Sequence, residues 1–154
     1  MAEPPSRVVL DTNVLISALI AQNRGADSPP LRCFRLVLRR EVQLVTSPQM
    51  LRELLRALRY PRLRVAGEVA DGFTALVASL AEPDGLVSVG GQLAVLRRDP
   101  ADNVVLETAL AGRAGHLVTG NARHFSELWT PKAEPVFRGV RVVTPRQFLD
   151  ARGA

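Results

Sequence analysis

The sequence predicts an α/β domain in which helices cover both faces of a central parallel sheet of four to five strands. Short apolar runs rich in β-branched residues alternate with segments whose apolar residues recur at helical spacing. The clearest run, Val-Val-Leu at residues 8–10, is typical of a strand buried on both faces. The 154 residues fit a single domain, with a core from about residue 7 to residue 150.

In the first half of the chain, residues that favour turns and helix starts separate the predicted elements clearly. The first strand stops at Asp11, and the apolar residues that follow recur at helical spacing through Leu19. A loop rich in glycine, aspartate, serine and proline at 23–30 then precedes the next helix. Ser47-Pro48 starts a further helix, because serine caps well and proline suits the first turn. The predicted elements are helices over 31–40, 48–59 and 65–81, with a strand over 42–46.

The second half of the chain predicts three more strands, over 86–89, 116–119 and 140–143. Residues 90–96 fit either a loop or a partial strand. A helix opens at the DPADN segment, 99–103, and ends near Gly112 and Gly115. Thr144-Pro145 opens a last short helix that runs through residue 150.

Arginine is concentrated in the first half of a basic chain. The net charge is +5, and nineteen arginines stand against a single lysine. Ten of the arginines lie between residues 24 and 64, against three acidic residues in the same stretch. Such a surface attracts phosphate backbones, but a solvated helical face in an arginine-preferring protein has the same composition. The charge is therefore compatible with nucleic-acid binding without establishing it.

Other features exclude some classes of protein. No apolar run approaches the roughly 18 residues of a membrane span, and the first residues lack the basic start and apolar core of a secretory signal. The single cysteine, Cys33, excludes an intrachain disulfide and a cysteine-rich zinc site. We expect a cytoplasmic protein.

Polar side chains interrupt the apolar pattern where predicted strands end and helices begin. Asp11 follows the first strand, and Asn121 follows the fourth. Glu53 lies early in the helix after the second strand, while Asp99 and Asp102 precede or open the helix before the fourth. Because the carboxyl ends of parallel strands share one edge, the fold could bring these side chains into one pocket. Carboxylates that close repel each other, and the usual remedy is a hard cation such as Mg²⁺ or Mn²⁺.

Each of these residues also has a purely structural interpretation. The alternatives are a helix cap for Asp11 and Asp102, a turn for Asp99 and Asn121, and an exposed ion pair with Arg52 or Arg56 for Glu53. His116, His124 and Trp129 have no obvious ligand partners in the pattern, and we interpret them as structural. The combination favours a site more strongly than any single residue does.

Four segments taken together resemble the PIN-domain nucleases. They are DTNVLISAL at 11–19, TSP at 46–48 before the helix that carries Glu53, DPADN at 99–103, and LVTGN at 117–121 followed by RHF. The similarity extends to about residue 150 and is greatest to the toxin components of bacterial type II toxin–antitoxin pairs (VapC-like proteins). It implies a three-layer α/β/α sandwich in which three or four acidic residues hold Mg²⁺ or Mn²⁺, and an enzyme that cuts single-stranded or structured RNA.

The resemblance assigns roles to residues at matching positions. Three acidic residues match the catalytic, metal-binding positions: Asp11, Glu53 and Asp102. An accessory metal ligand is implied at Asp99, and the polar positions that order the site are matched by Thr12, Asn13 and Thr119. We expect contacts with the RNA backbone from arginines of the 24–64 region, in particular Arg52, Arg56 and Arg59. The implied protein partner is an antitoxin that inserts an arginine among the carboxylates, and homodimers are common in the family.

Asn121 stands where the family usually has a fourth acidic residue. Asparagine can ligate a metal through its carbonyl oxygen, but it removes one negative charge, which makes one bound metal more secure than two unless Asp99 compensates. We therefore predict a divalent-metal-dependent ribonuclease that is the toxin of a toxin–antitoxin pair. The first alternative is a non-catalytic RNA-binding module. The second is a phosphatase with Asp11 as nucleophile, which is disfavoured because Asn13 stands where such enzymes usually have a second aspartate.

Overall fold

The chain alternates strands and helices in a computed structural model that describes residues 4–96, 100–128 and 136–153. Its first half contains β1 (Ser6–Leu10), α1 (Thr12–Asn23), α2 (Pro29–Leu38), β2 (Val42–Leu44), α3 (Pro48–Leu58), a 3-10 turn (Pro61–Leu63) and α4 (Gly67–Ala81). Its second half contains α5 (Pro100–Ala111), β3 (His116–Val118), a 3-10 helix (Ala122–Leu128), β4 (Val136–Phe137), β5 (Val140–Val143) and α6 (Pro145–Ala151). The predicted Asp99 and Trp129 lie outside the described residues.

The five strands form one sheet in the order β2-β1-β3-β5-β4. Four of them run parallel, with Leu10 of β1 beside Val118 of β3 and Val118 beside Val143 of β5. The carboxyl ends of β1 and β3 are therefore neighbours, as the predicted topology requires. The predicted α/β fold class is confirmed, with a sheet that is mostly parallel.

The sheet separates two hydrophobic layers. Val8 and Leu10 of β1 belong to the layer packed against α1, α2, α3, α4 and α6, whereas Val9 belongs to the layer packed against α5. All three side chains are buried, so β1 is covered on both faces, as its continuous apolar run predicts. No helix among the described residues is both long enough and apolar enough to cross a bilayer.

Residues 86–89 do not form the predicted strand. Leu86 makes a single parallel bridge to Thr46, and the chain then leaves the sheet. Five backbone N–H groups between residues 91 and 96 donate to side chains of α5. Glu107 accepts from Gly91, Gln92 and Leu93, and Asn103 accepts from Val95 and Leu96. The segment 91–96 is therefore a loop attached to α5, which resolves the two alternatives for this region.

The edge strand β4 was not predicted and is antiparallel to β5. The turn between them places both Arg138 (φ 49°) and Gly139 (φ 88°) in the left-handed region, as two-residue hairpins prefer. A two-residue strand is too short to produce an alternating pattern, and arginine is not a usual residue for this turn. The sheet is therefore mostly parallel, with one antiparallel edge strand that the sequence pattern did not indicate.

Cys33 and His116, of which we interpreted the histidine as structural, both have surroundings typical of structural residues. Cys33 is buried and lies within 3.6 Å of the Pro145 carbonyl oxygen, and burial raises the pKa of its thiol to about 12. His116 packs edge-on against Phe148, with ring centroids 5.2 Å apart. Burial, followed by the charges of Arg141 and Arg152, lowers the pKa of His116. Both side chains are therefore uncharged near neutral pH.

Candidate active site

Asp11 is a buried carboxylate at the carboxyl end of β1. Its side chain is the N-cap of α1, where Oδ1 accepts a hydrogen bond from the Thr12 N–H at 2.8 Å. Its Oδ2 accepts from the Thr119 hydroxyl, also at 2.8 Å. The residue is only 7% exposed. Asp11 therefore caps α1, as its structural interpretation predicted. It also accepts a hydrogen bond from the Thr119 hydroxyl, which a helix cap does not require.

Thr119 connects Asp11 to the other polar residues that follow β3. Its hydroxyl oxygen accepts from the Asn121 N–H at 3.1 Å and from Asn13 Nδ2 at 3.4 Å. Asn13 Oδ1 in turn accepts from the Gly120 N–H at 2.9 Å. A Cβ at position 120 would lie 3.2 Å from that same Oδ1, so glycine permits the close approach. Thr119 thus contacts the Asp11 carboxylate directly, Asn13 contacts Thr119, and Thr12 contacts Asp11 through its backbone N–H.

Glu53 lies on the exposed side of α3 but faces a cavity at the same edge of the sheet. We call this the three-helix cavity: it has a volume of about 130 Å³ and lies between α1, α3 and α5, lined by Thr12, Gln49, Met50, Glu53, Ala101, Val104 and Val105. Thr12 follows Asp11 and Ala101 precedes Asp102, so Glu53 faces the neighbours of both. Its carboxylate is 53% exposed and lies 3.9 Å from Arg56 Nη1. A pair so long and so exposed contributes little to stability.

Asp102 lies in the first turn of α5, and its side chain is 13% exposed. His124 Nδ1 lies 3.4 Å from Asp102 Oδ2, a contact that sequence analysis missed by treating His124 as purely structural. The available signal was the RHF segment at 123–125, one residue after LVTGN. His124 also lines a wider cavity of about 490 Å³ with Asn121, Arg123 and Thr144. His124 therefore contacts Asp102 through its imidazole and borders the same cavity as Asn121.

Comparison with known families identifies the chain. The family model of the PIN domain matches residues 7–123. This chain belongs to the PIN domain family. Its members are generally nucleases, which bind RNA and use divalent metals.

A solved structure has a similar fold. The crystal structure of PAE2754 from Pyrobaculum aerophilum is similar, with a TM-score of 0.57 and 17% identical residues. The match covers 96% of this chain and 90% of that chain. The search of curated proteins gave no significant match.

The donor atoms of this PIN domain suit a divalent metal by their chemistry. Asp11, Glu53, Asp102 and Asn121 offer carboxylate and amide oxygens, the ligands that hard divalent cations prefer. They do not form a complete ligand set: among the described residues no three His, Cys, Asp or Glu side chains are grouped closely enough to hold a metal ion. Asp99, the implied accessory ligand, lies outside that part of the chain.

The predicted RNA-binding arginines of the PIN domain differ in their surroundings. Arg52 and Arg56 line a cavity of about 360 Å³ together with Gln49 and Glu53. The Arg56 side chain is 80% exposed. Arg59 instead donates to Asp71 of α4 at 2.8 Å, which neutralises part of its charge. Arg52 and Arg56 therefore lie nearer to the candidate site and are better placed to meet phosphates than Arg59.

Proposed function

We propose that this PIN domain is a divalent-metal-dependent endoribonuclease and the toxin of a type II toxin–antitoxin pair. The observation that carries the nuclease proposal is the Asp11 carboxylate, which is buried at the carboxyl edge of the sheet with both oxygens held by donors. Burying a charge is costly unless it is hydrogen-bonded or bound to a cation. A helix cap alone does not need a buried carboxylate held by a second side chain.

Asp11, Glu53 and Asp102 would hold Mg²⁺ or Mn²⁺, with Asp99 and Asn121 as further ligands. The cation would supply an activated water and offset the charge that develops on the phosphodiester. Asn121 provides a neutral amide where an acidic residue is usual, so we favour one cation over two. Thr119 and Asn13 keep the Asp11 carboxylate in one orientation, which limits the reorganisation needed during the reaction.

The substrate that these surroundings favour is RNA held by its backbone. Arg52 and Arg56 border the cavity that contains Glu53, and Arg123 borders the cavity that contains Asn121. Positive groups therefore flank the candidate ligands on two sides. Tyr60, an exposed aromatic residue just beyond α3, offers a ring on which an unpaired base can stack. This arrangement favours single-stranded segments over a rigid duplex.

The toxin role depends on the sequence resemblance. It requires a cognate antitoxin, which we propose inserts an arginine among the carboxylates and so neutralises the site. We also propose a cytoplasmic location and a second copy of the chain as a dimer partner.

Cleavage by the purified protein tests the nuclease directly. A pool of structured RNAs is incubated with Mg²⁺, Mn²⁺ or EDTA, beside the Asp11→Asn variant. Asparagine also caps helices, so the variant should fold while losing the charge. We expect metal-dependent cleavage by the wild-type protein and none by the variant. RNA binding without cleavage would favour the non-catalytic module, and failure to bind metal would refute the carboxylate site.

The toxin role needs a separate experiment. Expression of the wild-type chain should arrest growth of a bacterial host, and expression of Asp11→Asn should not. Co-expression of the protein encoded by a small neighbouring reading frame should restore growth. Growth arrest by both forms would disconnect toxicity from the proposed site.

A further inference from the structure

Gln49 has a buried hydrogen-bond acceptor for which the described residues provide no donor. The residue lies in the first turn of α3, four positions before Glu53, so both side chains emerge on one face of the helix. Its Nε2 donates to the Val89 carbonyl oxygen at 2.9 Å. Its Oε1 is buried and has no hydrogen-bond partner among the described residues. Buried polar atoms without a partner are uncommon in folded proteins, and each calls for an explanation.

The orientation of this amide is fixed by its other contact. A backbone carbonyl can only accept hydrogen bonds, so the side-chain nitrogen must face Val89. Rotating the amide by half a turn would place two acceptors together and lose the existing bond. The oxygen of Gln49 is thus held away from Val89 by the geometry of the loop that α5 anchors.

Gln49 lines both cavities in which Glu53 takes part. One is the three-helix cavity, whose other walls include the apolar side chains of Met50, Val104 and Val105. The other is the cavity bordered by Arg52 and Arg56. A ligand that extends from the arginines toward Glu53 would therefore pass Gln49.

We propose that Gln49 Oε1 accepts a hydrogen bond from the nucleotide bound beside Glu53, which makes Gln49 a determinant of substrate selectivity. This inference rests on the proposed function, because it takes RNA as the ligand. Phosphate oxygens at neutral pH are acceptors only, so they cannot satisfy Oε1. The donors that we assign are the ribose 2′-hydroxyl or the exocyclic amino group of guanine, and a 2′-hydroxyl contact would distinguish RNA from DNA.

Binding of matched oligonucleotides to Gln49→Met tests this assignment. Methionine has a similar length but cannot accept a comparable hydrogen bond. Gln22→Met, at an exposed position in the last turn of α1, controls for the same chemical change. The probes are a short single-stranded RNA, its 2′-fluoro analogue and an RNA with inosine in place of guanosine. The fluoro analogue lacks the sugar donor, and inosine lacks the exocyclic amino group. Affinities are measured in EDTA, so that cleavage does not interfere.

The expected result is a coupling between the variant and one type of probe. Gln49→Met should weaken binding of unmodified RNA by about two- to twelve-fold, the usual range for one neutral hydrogen bond. Wild-type protein should lose a similar factor on one of the two modified probes, and Gln49→Met should lose nothing further on that probe. The sensitive probe identifies the donor as the sugar or the base. Gln22→Met should behave as wild type on all three.

Two results would overturn the assignment. If Gln49→Met lost the same factor on every probe and the wild-type protein were insensitive to both modifications, Gln49 would only support the loop through Val89. If Gln49→Met lost no affinity on any probe, Oε1 would make no contact with the ligand. Metal-dependent cleavage by the wild-type protein distinguishes these outcomes from failure of the proposed function. If the wild-type chain neither binds nor cuts RNA, the proposed function fails and the inference fails with it.

Discussion

Replacing Thr119 with valine removes one buried hydroxyl and keeps the shape of the side chain. That hydroxyl donates to Asp11 Oδ2 at 2.8 Å and accepts from the Asn121 N–H. The variant therefore leaves the Asp11 carboxylate at the end of β1 without one of its donors. Asn121 is exposed, so water can replace the acceptor that its N–H loses.

The expected loss of stability follows from the charge on the acceptor. A hydrogen bond to a charged group contributes about 1.5–3 kcal/mol, and Thr119 is fully buried, so water cannot readily replace its hydroxyl. We expect the free energy of unfolding at neutral pH to fall by about 2 kcal/mol. For a chain of this size that corresponds to a Tm lower by about 4–8 °C. Metal-dependent cleavage should fall as well, because the carboxylate is no longer held in one orientation.

The measurement compares urea unfolding and RNA cleavage for Thr119→Val, Thr119→Ser and Thr74→Val. Serine retains the hydroxyl and should recover most of the cleavage. Thr74 donates back to the Ala70 carbonyl within α4, so its valine variant makes the same chemical change away from the site and should cleave normally. If Thr119→Ser were as inactive as Thr119→Val, the methyl packing would matter and the hydroxyl would not. Wild-type stability and activity in Thr119→Val would refute the reasoning altogether.

Three further predictions concern packing, pH and salt. Gly112→Ala should lower the free energy of unfolding measured in urea by about 1–3 kcal/mol, because the added Cβ would overlap the Val45 side chain. Gly72→Ala, in the interior of α4 where the added Cβ meets no atom, should raise it by about 0.5–1 kcal/mol. His116 has a lowered pKa in the folded chain, so the unfolded chain takes up its proton first as pH falls. The stability it contributes is complete above about pH 6.5 and is lost below that pH, and His116→Phe should flatten this part of the measured pH dependence. Removing both Arg52 and Arg56 should reduce the slope of log affinity for single-stranded RNA against log salt by about 1.4, if each contacts one phosphate; an unchanged slope would exclude them from the RNA interface.

The parts of the fold that sequence predicts well are those specified by local chemistry. The apolar run of β1 and the Ser47-Pro48 start of α3 each agree with the structure, where Ser47 Oγ accepts from the Met50 N–H. The failures are elements whose hydrogen bonds are made far away in sequence. Residues 86–89 have the composition of a strand, but the backbone that follows is bound by Glu107 and Asn103 of α5. No local sequence pattern indicates whether this backbone will pair with a strand or bind side chains of a helix.

The candidate site divides in the same way. Neighbouring positions for Asp11 and Thr119 follow from topology alone, because parallel strands that pair bring their carboxyl ends together. The contact between His124 and Asp102, by contrast, depends on the 3-10 helix at Ala122–Leu128, which the sequence periodicity did not predict. The orphaned oxygen of Gln49 depends on the position of Val89, in a segment for which the sequence pattern predicted a strand. Side-chain contacts between separate elements thus require the three-dimensional structure.

The attachment of segment 91–96 to α5 has a consequence for how this part of the molecule responds to acid. Its amides should exchange with solvent deuterium in two groups, since two different side chains hold them. Desolvation raises the pKa of Glu107, but the hydrogen bonds that it accepts from the N–H groups of Gly91, Leu93 and Gln92 lower the pKa, and the net shift is downward. Acid that protonates Glu107 would release those three amides. The Val95 and Leu96 amides would stay protected, because the Asn103 side chain that accepts from them does not titrate. In acid, residues 91–93 would therefore detach from α5 while residues 95 and 96 remained bound to it.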